Sequence, residues 1–529
     1  MPPGVGWRFS DAARGMIRKI IYFNSTVVIL LAGLFCIYPT IRAGLDLNDP
    51  ALKGPGIPKM AGRIYRNLTP RYAAWAKDRI QRGRAEKLSV DDISGTEWPL
   101  FGSVFFLWAL ENLQTAWDAG DRSLGAEPKV FARDAIIAAS ELVIDPKHAT
   151  WVKKHWGEDY LHRENVFYRM LIMGALTARA QLLHDGAHVD MLREQVDSFT
   201  RELDASETGL LDDYPGECYP GDVMAAVMCV KRADAVLRTD HSNFVARAVR
   251  GFTGNRATRH QLPPYAAVSK TGTPASHARG CANSYMSLIT PELWPAHARQ
   301  WFELHDRFFW QERMTAVGYR EFPKDIPHSD WTMDVDAGPV IAGHGVAASA
   351  FGVGAARKNG RFDRAYPLAT EVLASVFELP NGTLALPRLL SDASDAPMLG
   401  EAAILWQLTV QPEKGVAVRS GGGIPTFTYI LLLSVFVFGA WRIWEAIGSL
   451  RQSLWPSARL EERVVLAPKI QSGIWMGLMA IVIGSFVSGY HAFGLAALVL
   501  GVMLPATKKK KPPTGAEDWP DPPQGKAMN

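Results

Sequence analysis

The chain has 529 residues, of which 48% are hydrophobic and 21% charged, ordinary values for a folded protein that exclude a disordered or collagen-like chain. Its 57 basic and 53 acidic residues leave a net charge of +4, too even a balance for a nucleic-acid binder, which concentrates a basic surplus on one face. Four cysteines in this length cannot form a disulfide framework.

In chain order the first strong signal is Ile20 to Tyr38, an uncharged apolar run preceded by Arg8, Arg14, Arg18 and Lys19. About twenty such residues cross a bilayer core of roughly 30 Å. No small-x-small cleavage site follows it, and Leu34-Phe35 before Cys36 do not suit a lipoprotein signal. Residues 1–42 therefore read as a cytoplasmic N-terminus and an uncleaved signal anchor.

Residues 43–420 show helical periodicity repeatedly and strand alternation almost nowhere. Apolar positions recur at helical spacing in Val130 to Leu142, in Val166, Phe167, Met170, Leu171 and Gly174, and in Val189, Leu192, Val196, Phe199 and Leu203. The same holds for Val223 to Leu237, Ala298 to Phe309, Pro339 to Ala356, Ala365 to Phe377 and Met398 to Leu408. About ten to twelve helices without a fixed repeat favour a closed ring of helical hairpins over a four-helix bundle or a solenoid. Gly343, Gly345, Gly352 and Gly354, expected within one helix, weaken it and point to close approach of a neighbour. The fold class read here is all-α.

A second span covers 425–447. Arg442, Arg451, Arg459, Arg463 and Lys469 around and after its end place the loop 448–472 in the cytoplasm by the positive-inside rule. The large domain then lies outside, in the periplasm of a two-membrane cell, and the chain sits in the inner membrane. Residues 473–505 are apolar for longer than one span needs, are interrupted at Ser488-Gly489-Tyr490-His491, and are followed by Lys508 to Lys511. They read as a hairpin of two short spans, and 506–529 as a disordered Pro-rich tail.

Routine catalytic patterns are missing, and the thirteen histidines show no metal-ligand spacing. No metal or cofactor is expected. Four segments instead mix polar groups into apolar surroundings. In the first, Glu164 and Tyr168 are four apart, as on one helix face, with Asn165 between them. The second, Asp212 to Asp222, turns on two Pro-Gly pairs and holds four carboxylates and a thiol that could serve as acid, base or nucleophile, Glu217 and Cys218 foremost. Asp222 there reads as the N-cap of a helix beginning at Val223. The third carries Arg279, Asn283 and Tyr285 into a helix. The fourth joins Trp331, Asp334 and Asp336 to Gly338-Pro339, read as a helix start; the two carboxyls would repel and leave one protonated.

These segments, in this order, resemble the linalool dehydratase/isomerase family, whose fold is an (α/α)6 barrel. The resemblance rests on Trp156-Gly157 with Arg163-Glu164-Asn165-Val166-Phe167-Tyr168, on Cys218-x-Pro, and on Asp334-x-Asp-x-Gly-Pro-Val with the small-residue helix ending Ala350-Phe351. It spans most of 95–410 and none of the membrane segments. The family's catalytic His falls on Leu171 and its second Cys on Val227, so Cys218 alone carries over among those positions.

The resulting expectation is a membrane-anchored lyase or isomerase acting on a hydrophobic alcohol or isoprenoid-like substrate. Asp334, Asp336 or Glu217 would protonate the leaving hydroxyl, and Cys218 and Tyr168 would orient or accept a proton. Glu164, Asn165, Arg279, Asn283, Tyr285 and Trp331 would contact substrate. An envelope glycan enzyme using tryptophans such as Trp301, Trp310 and Trp331 is the alternative, as is a non-catalytic membrane-complex subunit. Association of the chain with a second copy is left open.

Overall fold

In the computed structural model, residues 11–89, 92–313, 315–334 and 337–454 are described, with isolated positions between 473 and 481. The chain is mostly helical. The longer helices are α1 (Asp11–Asp46), α2 (Lys59–Arg82), α3 (Trp98–Asp118), α4 (Arg133–Ile144), α5 (Val166–Leu183), α6 (Val189–Ala205) and α7 (Pro220–Leu237). They continue with α8 (Gly280–Leu293), α9 (Pro295–Phe309), α10 (Val346–Lys358), α11 (Phe362–Ser375), α12 (Ala385–Ala393), α13 (Leu399–Thr409) and α14 (Thr426–Leu454). Proline in the first turn of α3, α7 and α9 sets where these begin, because its fixed φ suits that turn and its missing N–H is not needed there.

Six helices pack in a closed circuit. α3 meets α5, α5 meets α7, α7 meets α8, α8 meets α10, α10 meets α13, and α13 returns to α3. Their starts are level with one another: Gly102 of α3 lies against Leu399, Gly221 of α7 against Tyr285, and Gly280 of α8 against Ala348. Deeper, Gly174 of α5 touches Val104 and Cys229, and Gly354 of α10 touches Leu288. Neighbours therefore run parallel, with all six N-termini at one end. α4, α6, α9 and α11 pack outside this circuit, α2 lies against α4 and α13, and α12 lies against α13. Their amphipathic sequences bury one stripe each, as in Leu192, Val196, Phe199 and Leu203 of α6.

The helix expected over Pro339 to Ala356 begins only at Val346. Before it the chain forms three short strands, Thr332–Asp334, Gly338–Ile341 and His344–Gly345, in an antiparallel sheet. Ala342 and Gly343, at φ of 52° and 84°, supply the left-handed pair of a two-residue hairpin turn. Gly338-Pro339 thus opens a strand, not a helix. A second hairpin pairs Trp310–Arg313 with Ala316–Tyr319. Gly352 and Gly354 do meet the crowding expected of them: a Cβ at Gly352 would strike the Tyr319 ring, and one at Gly354 the Gln407 amide.

α1 and α14 each contain a stretch, Phe23–Asp46 and Thr426–Gly448, long and apolar enough to cross a membrane. They are antiparallel: Leu47 clusters with Leu432, while Ile37 clusters with Phe436 and Ala440. Where they cross, a Cβ on Gly33 would sit 2.7 Å from the Gly439 carbonyl oxygen, the small-residue contact that lets apolar helices approach closely. α14 runs on to Leu454, beyond the expected end at 447. The expected hairpin at 473–505 and tail at 506–529 fall almost wholly outside the described residues.

Two arginines tie these parts together. Arg63 of α2 bridges Asp46, at the end of α1, and Glu378. Arg357, 1% exposed, donates to the carbonyls of Val410 at 2.8 Å, Ala51 at 2.9 Å and Gly56 at 2.7 Å. Replacing it leaves three acceptors in apolar surroundings, so Arg357→Met should destabilise the helical domain by about 3 kcal/mol or more. Chemical denaturation of the detergent-solubilised chain measures this, and an unchanged midpoint would contradict the role assigned to the guanidinium.

Candidate functional site

The end of the circuit where the six N-termini meet gathers acidic groups from three separate stretches. After α6 the chain makes a tight turn at Pro215-Gly216, closed by Asp213 N donating to Glu217 O and Glu217 N donating to Tyr214 O, both at 2.8 Å. Gly216 takes φ 87° there, which a side chain would resist. The turn aims Asp213 and Cys218 inward, each 1% exposed. The Asp213 carboxyl accepts from Tyr219 N at 2.7 Å and from the backbone of Phe167 in the first turn of α5.

Burial and then the nearby Asp222 raise the Asp213 carboxyl well above the usual carboxylate range. Asp222 is half-buried in the first turn of α7 and acts electrostatically on Asp213, Tyr214, Cys218 and Tyr285. Burial, followed by Asp213, Asp212 and Asp222, pushes the Cys218 thiol far up, so it stays protonated and is no nucleophile at neutral pH. Tyr214 is hydrogen-bonded to Glu97 at the start of α3. The buried hydroxyl of Tyr285 has no hydrogen-bond partner among the described residues.

Below these groups the interior is aromatic. Tyr285 lies 5.5 Å from Phe351, Phe105 stacks on Trp406 at 4.8 Å, and Phe101 lies 5.5 Å from Phe167. Phe101 and Phe351 are only half-buried, although they belong to helices of the central circuit. The same end therefore offers buried carboxyls above apolar ring faces.

A second cluster lies at the start of α8. Buried Glu321 accepts from Arg279 Nε at 2.7 Å, from Cys281 N at 3.1 Å and from Cys281 Sγ at 3.0 Å. Arg279 also pairs with Asp334 at 3.1 Å and covers the Tyr265 ring at 4.3 Å. Tyr265 in turn lies 5.3 Å from Tyr219, whose hydroxyl donates to Glu217 at 3.0 Å. A polar rim thus connects the two clusters through the segment between α7 and α8, which pairs with Cys218 at Ala267.

The residues singled out from sequence divide accordingly. Cys218 and Tyr285 reach the acidic end. Glu164 borders it, accepting from Asp212 N at 2.7 Å, and its carboxyl is raised by burial. Glu164 and Tyr168 do not share a helix face, because α5 begins only at Val166. Tyr168 points to the outer layer and donates to Val143 O at 2.9 Å. Asn165, in the left-handed region at φ 35°, donates to Tyr160 O. Asn283 donates to Pro263 O and Arg279 O and holds backbone. Glu217 is exposed on the rim, and Asp334 belongs to the Arg279 cluster. Trp331 is 68% exposed on its hairpin. Asp336 lies outside the described residues.

Two residues at the centre were not singled out for chemistry. Asp222 is not an N-cap: α7 starts at Pro220 with Tyr219 as its cap residue, so Asp222 stands third in the helix. Asp213 lay within the double Pro-Gly segment, and its flanking partner Asp222 was the signal that could have marked both. Glu97 carried no local signal. Among the described residues no group of three His, Cys, Asp or Glu is arranged to hold a metal ion. Neither protein-family models nor curated proteins give a match to the chain.

Two outcomes follow from these charges. Asp213 binds its proton more tightly folded than unfolded, so its contribution is fully present below about pH 4 and is lost as pH rises through its raised folded value. Asp213→Asn should remove that slope, leaving the variant more stable than the native chain at alkaline pH when thermal midpoints are compared across pH. Arg279→Met strands the buried Glu321 and should cost about 3–5 kcal/mol at neutral pH, read by the same denaturation series.

Proposed function

We propose that the chain is a membrane-anchored enzyme of the hydro-lyase and isomerase kind, with its helical circuit forming an (α/α)6 barrel, acting on a hydrophobic alcohol of isoprenoid type. The observation that carries this reading is the interacting pair Asp213 and Asp222 above half-exposed Phe101 and Phe351. Burial keeps Asp213 protonated, whereas the first turn of α7 favours an anion at Asp222. Two carboxyls whose surroundings drive them apart supply an acid and a base at one site.

Asp213 gives its proton to the substrate hydroxyl, the C–O bond breaks, and water leaves. The positive charge left on carbon faces the rings of Phe101, Phe351 and Tyr285, whose π-faces attract a cation. Asp222 then takes a proton from the adjacent carbon, and the released electron pair forms the double bond. Return of that proton to Asp213 restores the pair. If water adds back at the far carbon of an allylic cation, the product is an isomer. Cys218 and Tyr285 position the hydroxyl, and both stay protonated. This assigns the acid to Asp213, since Asp334 is paired with Arg279 and Glu217 faces solvent.

The antiparallel pairing of α1 and α14 supports an external domain. It carries Arg14, Arg18 and Lys19 to the same side as Arg442 and Arg451, and such clusters stay cytoplasmic. A bilayer beside the domain suits a lipid-soluble substrate. The glycan alternative loses two of its platforms, because Trp301 and Trp310 are 5% and 6% exposed. A non-catalytic subunit has no use for a buried carboxyl beside a second acid and an unpartnered Tyr285 phenol above an aromatic interior.

The reading is tested with the full chain in lipid nanodiscs and a series of tertiary allylic alcohols including linalool, following alkene and isomer by gas chromatography. Asp213→Asn and Asp222→Asn should each lower turnover by about 10²-fold or more, Glu217→Gln should not, and activity should fall as pH rises through the Asp213 transition. Absence of turnover throughout the series, or undiminished turnover in Asp213→Asn, would remove the proposal.

A further inference from the structure

α12 is turned inside out for a helix on a water-facing surface. Leu386, Leu389 and Leu390 are 45%, 66% and 59% exposed. Its only basic side chain, Arg388, bends the other way, donating to Asp392 at 2.9 Å and reaching Glu401, which is fully buried, at 3.6 Å. The two charges of the helix thus neutralise each other, while its leucines face outward. A helix covered by water does the reverse, placing charge outward and leucine inward.

Its position says what lies outside. The start of α12 is hydrogen-bonded to the segment before it, Ala385 N to Phe377 O and Leu386 N to Val376 O. Phe377 in turn packs on Phe35 of α1, ring centroids 5.2 Å apart. On α1 the exposed apolar surface runs through Phe23, Val28, Leu31, Leu34 and Phe35. Beyond it Ala43 and Leu47 are buried against Ala374 and Leu432. The apolar outer face of α1 therefore lies beside the segment that leads into α12.

We propose that α12 lies in the membrane interface, its three leucines in the acyl-chain boundary, as a third contact of the domain with the bilayer beside α1 and α14. This rests on the membrane-anchored reading above. Buried 5–10 Å into the headgroup region, as interfacial helices are, α12 fixes the tilt of the helical circuit against the membrane, which two flexible spans alone would not.

The test uses the full chain with Cys36→Ser, reconstituted in phosphatidylcholine–phosphatidylglycerol nanodiscs, carrying an environment-sensitive fluorophore on Leu389→Cys or, separately, on Leu31→Cys. Cys218, Cys229 and Cys281 are at most 6% exposed and stay unlabelled. The Leu389 label should emit blue-shifted light and be quenched by lipids spin-labelled near the headgroup. The Leu31 label should be quenched by lipids spin-labelled deep in the chain. Quenching of the Leu389 label by aqueous iodide alone, with Leu31 still quenched by lipid, overturns the proposal and leaves the spans intact. A blue shift without lipid quenching assigns the leucines to a second copy of the chain and overturns it too. Loss of lipid quenching at both positions overturns the membrane reading itself.

Discussion

Closure of the helical circuit, made where α13 returns to α3 at Gly102 and Leu399, is the constraint on which the rest depends. A ring of parallel helices puts every N-terminus at one end, however far apart the residues stand in sequence. Residues 97, 165, 222, 280 and 346 come to the same end for that reason alone. The outer helices can bury only one stripe each, so they add stability without altering what the end of the ring presents.

Closure also explains why the chemistry collects there. Helix starts have unsatisfied N–H groups and a partial positive charge, so they tolerate acidic neighbours that a helix middle would reject. Asp222 in a first turn and Asp213 in the buried turn before it differ in environment though not in chemistry. In the proposed reaction that difference separates a proton donor from a proton acceptor. Arg279 and the buried Glu321 neutralise each other at the same end, so that the proposed chemistry falls to the acidic pair.

The two candidate spans obey a different physics. α1 and α14 gain nothing from hiding leucine from lipid, so they meet through Gly33 and Gly439, where backbones come closest. Arg63, joining Asp46 and Glu378, then transmits the position of the spans to the helical domain.

The amino-acid sequence by itself determined the helical character, most helix bodies and both apolar stretches, because periodicity and apolar length are local properties that packing only confirms. It also marked Cys218 and Tyr285. It misread the stretch before Val346, where a left-handed Ala342-Gly343 pair makes a hairpin from residues that suit a helix equally well. Only the tertiary structure decided that Asp213 feels the charge of Asp222, that Tyr168 and Asn283 serve the backbone instead, and that Arg388 turns inward. A side chain's partner depends on which helix closes the ring beside it, and no spacing along one chain contains that.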